Sequence, residues 1–411
     1  SIKYGTRYIA QEASRENSSV ISSSSLNSIS IPDTVKIIDD YAFYECTDLA
    51  NVTLNKGLKN IGYKAFCYCT SLKSISIPGT VKKISDSAFK DCYRLRTVKI
   101  GKGVKEIGEK AFNFCYCLNS VSIPNTVETI GNCAFNCCTY LENLTIASGV
   151  KYIKNNAFDN CSYLKTVNIP GSVQEIGEKA FNECEYLENL TIGYGVKSIG
   201  AKAFYSCPYL NKIVIPGSVD TIGQSAFSEC DNVRSISLGY GVKTIKDNAF
   251  EYCEKVQILV IPSSVTDIGN DAFTGLSHLD TLSIDEDLYN NYGGNAFLSC
   301  YSLYSSGITY LKDNPCTISG KTCQVKAKKV RKKAVTVAAS KLYKVSPSTG
   351  VNAVKVSGNK NFTVNQANGS ITVKKKTKKG TYKIKVTATA AASDAYQSAS
   401  ATKTIKIKVT K

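Results

Sequence analysis

Seventeen cysteines and a single histidine, His278, bound the nucleophilic and metal chemistry open to this 411-residue chain. A cysteine nucleophile needs a base within hydrogen-bond reach and a third group that orients the base. His278 lies between Ser277 and Leu279 with no such third group evident. Cys133, Cys137 and Cys138 are the densest thiols, but their spacing is not one that structural zinc sites use. They read as extra thiols in a cysteine-rich chain. Gly-x-Gly pairs such as Gly101 and Gly103 end short strands, and no helix of the length a phosphate loop needs follows them. No catalytic residue, metal or cofactor is expected. Cys316 and Cys323 flank a Gly-containing turn and are the candidate disulfide.

Binding chemistry has more to work with. Tyr140, Tyr163, Tyr186 and Tyr209 recur every 23 residues, and Tyr194 and Tyr240 sit in Gly-Tyr-Gly turns. Tyrosine joins a broad apolar face to a hydroxyl and is enriched at interfaces. The column either binds a partner or steadies its own stack. A second candidate is basic: Lys328, Lys329, Arg331, Lys332 and Lys333, then Lys374, Lys375 and Lys376. These runs suit anionic polymers, or form a merely solvated face. They lack the interleaved aromatics of a base-stacking surface, so no specific nucleic acid is expected.

A repeat positions these residues. Phenylalanine recurs at 43, 66, 89, 112, 135, 158, 181, 204, 227, 250 and 273, always 23 apart. A fixed period of this length marks a solenoid whose coils bury apolar side chains against their neighbours. The segment Leu72-x-x-Ile75-x-Ile77 alternates inward apolar and outward polar residues and reads as one strand per coil. Val81-x-x-Ile84 and Ala88-Phe89-x-x-Cys92 are too short for a full helix and read as turn-like or single-turn helical. Pro and Gly alternate after successive strands, with Ile-Pro at 31–32 and every 46 residues to 261–262. The duplicated unit is then a pair of coils.

Ten cysteines lie three residues after a repeat Phe, from Cys46 to Cys253. Side chains at equivalent positions of stacked coils, ~4.8 Å apart, run parallel and do not face each other, so bridging is unfavoured. A buried column of free thiols is expected. Outward strand positions, such as Ser74, Ser76, Thr166 and Asn168, are short and polar, while Val214, Ile258 and Val260 make the far end more apolar.

The pattern Ile-Pro-x-x-Val-x-x-Ile-Gly-x-x-Ala-Phe-x-x-Cys-x-x-Leu, running over roughly residues 29–300, resembles the leucine-rich repeats of the BspA-like type found in bacterial surface proteins. The resemblance implies a curved solenoid with a concave strand face. It also implies a secreted or wall-associated protein that binds host or microbial macromolecules. Leu276 replaces the column cysteine, the next Phe is Phe297, and Asp285–Asn295 is irregular.

Charge divides the chain. Residues 1–316 carry 29 Lys+Arg against 32 Asp+Glu, whereas residues 317–411 carry 22 against Asp394 alone. In the basic part Thr381–Thr387 and Lys403–Val409 alternate as strands, and Asn368-Gly369 signals a hairpin. The segment is similar to the immunoglobulin- or cadherin-like modules of bacterial surface proteins.

The expected architecture is an α/β solenoid of 23-residue leucine-rich repeats with one parallel strand per coil, followed by an all-β sandwich. Its parts are a cap or partial repeat at 1–28, the solenoid at 29–312, a linker at 313–330 and the sandwich at 331–411. The expected function is non-catalytic binding or adhesion to an extracellular protein or glycan. The alternatives are the targeting portion of a longer secreted enzyme, and a solenoid spacer carrying an anionic-polymer-binding tail. No stretch reaches the ~20 apolar residues of a membrane helix. The chain opens on Ser1 without any Met, so a removed signal peptide leaves no trace to read.

Overall fold

The phenylalanine series becomes one continuous stack. Neighbouring rings from Phe43 to Phe273 lie 5.0–5.5 Å apart with interplanar angles of 1–12°. Phe297 extends it at 5.0 Å from Phe273, despite its 24-residue step. The computed structural model describes residues 6–9, 26–303 and 307–310 with their side chains, and beyond them the backbone of strands between 317 and 410.

Each coil contributes one main strand to a parallel sheet whose alternate residues face the core, as in Ser74–Ile77 (exposed, buried, exposed, buried). The register is one coil per step, for example Ile75 to Val98. The main sheet is interrupted twice, between Asn143–Ile146 and Thr166–Ile169 and between Asn189–Ile192 and Lys212–Ile215. The Val-x-x-Ile part departs from the turn-like expectation. Its last two residues pair from coil to coil and build a second, unbroken parallel sheet of twelve strands. Tyr8–Ile9 starts this sheet by pairing with Ile37–Ile38, inside the segment expected to cap the solenoid.

The Ala-Phe-x-x-Cys part is the turn-like side, and its backbone is unusual. From Phe43 to Phe250, the residues two before and two after each repeat Phe adopt left-handed geometry without being glycine, as Lys179 (φ 52°) and Glu183 (φ 52°) do around Phe181. That geometry aims N–H groups along the stack. Tyr41, Phe43 and Glu45 all donate to the next coil, to the carbonyls of Tyr63, Ala65 and Cys67 at 2.8–2.9 Å. Every buried backbone donor must find a partner, and here the next coil supplies it.

Alternate coils meet tightly at the strand ends. Gly103 has φ 132°, and a Cβ there would collide with the Gly79 carbonyl. This close approach is the physical reason that Gly coils alternate with Pro coils.

The irregular stretch is a helix, α1 (Glu286–Ala296), which takes the place of the last Val-x-x-Ile segment. The Asp285 side chain accepts from Leu288 N–H at 3.1 Å, and Glu286 and Asp287 occupy the positive end of the helix. Tyr292 Oη donates to the Thr266 carbonyl at 3.5 Å, which ties α1 to the end of the two-residue ladder. Ile308–Tyr310 adds a last parallel strand beside Thr281–Ile284. Helix α1 thereby covers the C-terminal end of the two-residue ladder, as a solenoid requires.

Beyond 316 the described backbone is all β. Gly380–Ala390 pairs antiparallel with Ala399–Thr410 and with Val351–Ser357. Phe362–Val364 and Ile371–Val373 are antiparallel arms around Asn368-Gly369, which itself lies outside the described residues.

Candidate functional site

The cysteine column has a role beyond filling space. From Cys69 to Cys253, each column Sγ donates to the carbonyl of the Phe one coil back, at 3.2–3.5 Å. The carbonyls of Phe43, Phe66, Phe112 and Phe135 also accept an N–H from their own coil, as Phe66 does from Cys69 at 3.3 Å, so both of their lone pairs are used. All ten column cysteines are buried, and none is in a disulfide. Desolvation pushes the thiol pKa of those from Cys69 to Cys253 upward, away from the reactive thiolate. Cys300, which the sequence pattern left outside the column, resumes it with a bond to the Phe273 carbonyl at 3.3 Å. Its signal was present in Phe297-x-x-Cys300-x-x-Leu303 but masked by the 24-residue step.

Outside the column, Cys133 and Cys137 are half-buried at left-handed positions. Burial raises both thiols, with Cys137 at about 11. Among the described residues no group of three or more His, Cys, Asp or Glu is arranged to hold a metal. His278 is exposed, with Nδ1 2.9 Å from the Glu254 carbonyl and 3.1 Å from Ser277 Oγ.

The structure brings four of the six candidate tyrosines together. Tyr140, Tyr163, Tyr186 and Tyr209 stack at 5.1, 5.2 and 5.3 Å with tilts of 22–30°. They remain open to solvent, at 51%, 38%, 39% and 50% exposure, although each ring covers its neighbour. The column stands just before the main strands and runs across both interruptions of the main sheet. Tyr93 and Tyr116 form a separate exposed pair at 5.5 Å, one residue after the column cysteine instead of two. Sequence reading passed over that pair because of the one-residue offset. Tyr194 is exposed and Tyr240 half-buried, in turns at the opposite end of the strands.

The strand face beside the column presents Thr166, Asn168, Asn189 and Thr191, all exposed. Val214 and Ile258 are exposed apolar residues on the same face, and Val260 is half-buried. Cys316 and the basic residues Lys328, Lys329, Arg331, Lys332, Lys333, Lys374, Lys375 and Lys376 lie outside the described residues, as does the Cys323 side chain. Among the described residues no helix is long and apolar enough to cross a membrane.

A family model described as BspA type leucine rich repeat region, in six copies, matches residues 17–139, 105–230 and 197–314. A leucine rich cell surface protein from Faecalibacterium prausnitzii is similar at 27% identity, over 69% of this chain and 79% of its own, with a TM-score of 0.38. A leucine-rich repeat protein from Bacteroides ovatus is similar at 25% identity, over 74% of this chain and 88% of its own, with a TM-score of 0.49. No curated protein matches the chain.

Proposed function

The chain belongs to the BspA-type leucine-rich repeat family, and from that premise we propose that it is a secreted or wall-associated binding protein whose solenoid recognises an extracellular protein or glycan. The exposed tyrosine column carries this reading. A ring that served only the core would be covered, as the phenylalanines are, whereas these four keep a third to a half of their surface in water. Stacking pre-orders the rings, so little rotamer entropy is left to lose when a partner docks. The flanking Thr and Asn side chains offer hydroxyl and amide groups next to that apolar ridge, the mixture that suits a polar partner with flat faces. Catalysis has no comparable support: the column thiols are buried, and burial raises those from Cys69 to Cys253 away from the reactive thiolate.

The segment beyond 316 is on this reading a spacer or anchor-proximal sandwich, and its lysine runs supply positive charge for anionic wall polymers. A pull-down from mucosal and extracellular-matrix extracts with the full chain tests the main reading. A saturable partner is expected with the native chain and a strong loss with Tyr163→Ser/Tyr186→Ser. Equal recovery by both proteins counts against the column.

A further inference from the structure

The edge of the two-residue ladder changes character along its length. The residue after each inward Val or Leu forms a row along the coils, in which an N–H donates to the residue one coil back, as Lys59 does to Lys36 and Lys105 to Lys82. From Lys105 onward the row alternates: Lys105, Glu128, Lys151, Gln174, Lys197, Asp220, Lys243 and Thr266. Its charges neutralise one another, with Glu128 paired to Lys105 at 3.4 Å and to Lys151 at 2.7 Å, and Lys243 to Asp220 at 3.2 Å. Before that point the row is Lys36, Lys59, Lys82 and Lys105, four exposed lysines in successive coils. Lys56 and Lys102 project from the turns that lead into it.

Among the described residues an acid pairs with only one of these lysines, Glu128 with Lys105. Asp86 and Glu106 pair with Lys83 at 3.2 and 2.9 Å. Asp39 accepts from the Tyr8 hydroxyl, and Asp40 from Tyr63 N–H at 2.6 Å. Lys36 donates to the Asp33 backbone carbonyl at 2.9 Å and has no ion pair among the described residues. Lys59 and Lys82 have no ion pair among the described residues. Over 33–37, 56–60, 79–83 and 102–106 there are seven lysines and two acids; over the seven equivalent stretches that follow there are three lysines and four acids. A solenoid that is slightly acidic overall therefore concentrates positive charge on one edge of its first coils.

We propose that this edge binds a linear anionic polysaccharide laid along the solenoid axis. Stacked coils repeat at ~4.8 Å, so the lysines form a regular comb. A sugar polymer with one acidic or sulfated group per residue or per disaccharide matches that comb along its length. Like charges held in adjacent coils repel, and a polyanion relieves this as Glu128 and Asp220 do farther along. The tyrosine column plays no part, so the two surfaces can be tested separately.

Lysine acetylation rates, read by mass spectrometry on the full chain, test the proposal with heparin-derived octasaccharide as the probe. Lys36, Lys59, Lys82 and Lys105 should react several-fold more slowly with the octasaccharide present. Lys151, Lys197 and Lys243 in the same row should be unchanged. The protection should weaken with raised salt and be slight with a disaccharide. Lys59→Gln/Lys82→Gln, whose side chains are in solvent, should keep the native circular dichroism spectrum and lose the protection of Lys36 and Lys105. Equal protection along the whole row, or protection confined to lysines beyond 320, overturns the site. Protection by short polyphosphate but not by the octasaccharide overturns the sugar polymer.

Discussion

Cysteine at the column position fills a dry slot and also donates a weak hydrogen bond to a buried carbonyl. Alanine would take the thiol partner from the Phe carbonyl, and serine would bring a more polar group into an apolar stack. The thiols must stay protonated to play this part, which makes the column sensitive to alkali. Burial raises the pKa of the nine thiols from Cys69 to Cys253. The folded chain therefore holds protons that the unfolded chain releases above about pH 9, near the ordinary thiol range. Their stabilisation is complete below that range and is lost as pH rises through it. Each thiol contributes a slope of about 1.4 kcal/mol per pH unit, and nine together on the order of ten. Thermal melts should thus be level between about pH 7 and 8 and fall steeply above about pH 9.5. A melting temperature that stays level to about pH 10.5 would mean that the thiols are not buried as described. At Cys161→Ala the lost thiol and the small cavity should together cost about 1–3 kcal/mol, measured by denaturant unfolding.

At the scale of the coil, left-handed residues exchange local strain for bonds to the next turn of the solenoid. For a non-glycine residue this conformation costs roughly 1–2 kcal/mol, most for β-branched side chains. Lys179 has a half-buried side chain and φ 52°. Lys179→Gly should leave stability within about 0.5 kcal/mol, the relief of strain balancing the greater freedom of the unfolded chain. Lys179→Val should lose about 1–2 kcal/mol in the same denaturant titration. Equal effects from both changes would show that the backbone there is unstrained.

Such features explain what sequence reading could and could not reach. The Phe43-to-Phe273 period and the Leu-x-x-Ile-x-Ile alternation announce the coil and its strand because stacking tolerates few side chains at those places. The left-handed positions carry Tyr, Lys, Ser, Asn, Asp, Glu, Cys and Phe, so no residue type betrays them; inter-coil bonding imposes the geometry. The two-residue ladder is too short for alternation to register. Helix α1 contains Gly293 and Gly294, poor helix formers, and is held by its Asp285 cap and its packing on the last coil. The tyrosine period was visible in the sequence, but its exposure beside a broken sheet needed coordinates. The thiol bonds were hidden because a residue one coil back, 26 positions away, supplies the acceptor.

Across the whole molecule, a chemically quiet interior supports surfaces that differ along and around the solenoid. Every coil bonds mainly to its two neighbours, so stability is close to a sum over coils and interfaces, and a local change stays local. Surface substitutions should consequently leave the stack intact, while column substitutions should weaken the fold without touching the binding face. A paired comparison on the full chain separates these roles most directly: surface plasmon resonance against a captured matrix or mucosal partner, with melting temperatures for each protein. Tyr163→Ser/Tyr186→Ser should weaken binding about tenfold or more and keep the native melting temperature, since aromatic anchors carry a large share of interface energy. Cys161→Ser/Cys184→Ser should melt earlier and, while folded, bind as the native chain does. Native-like binding by the tyrosine variant, or its early melting, would contradict the division of this protein into a silent spine and a binding column.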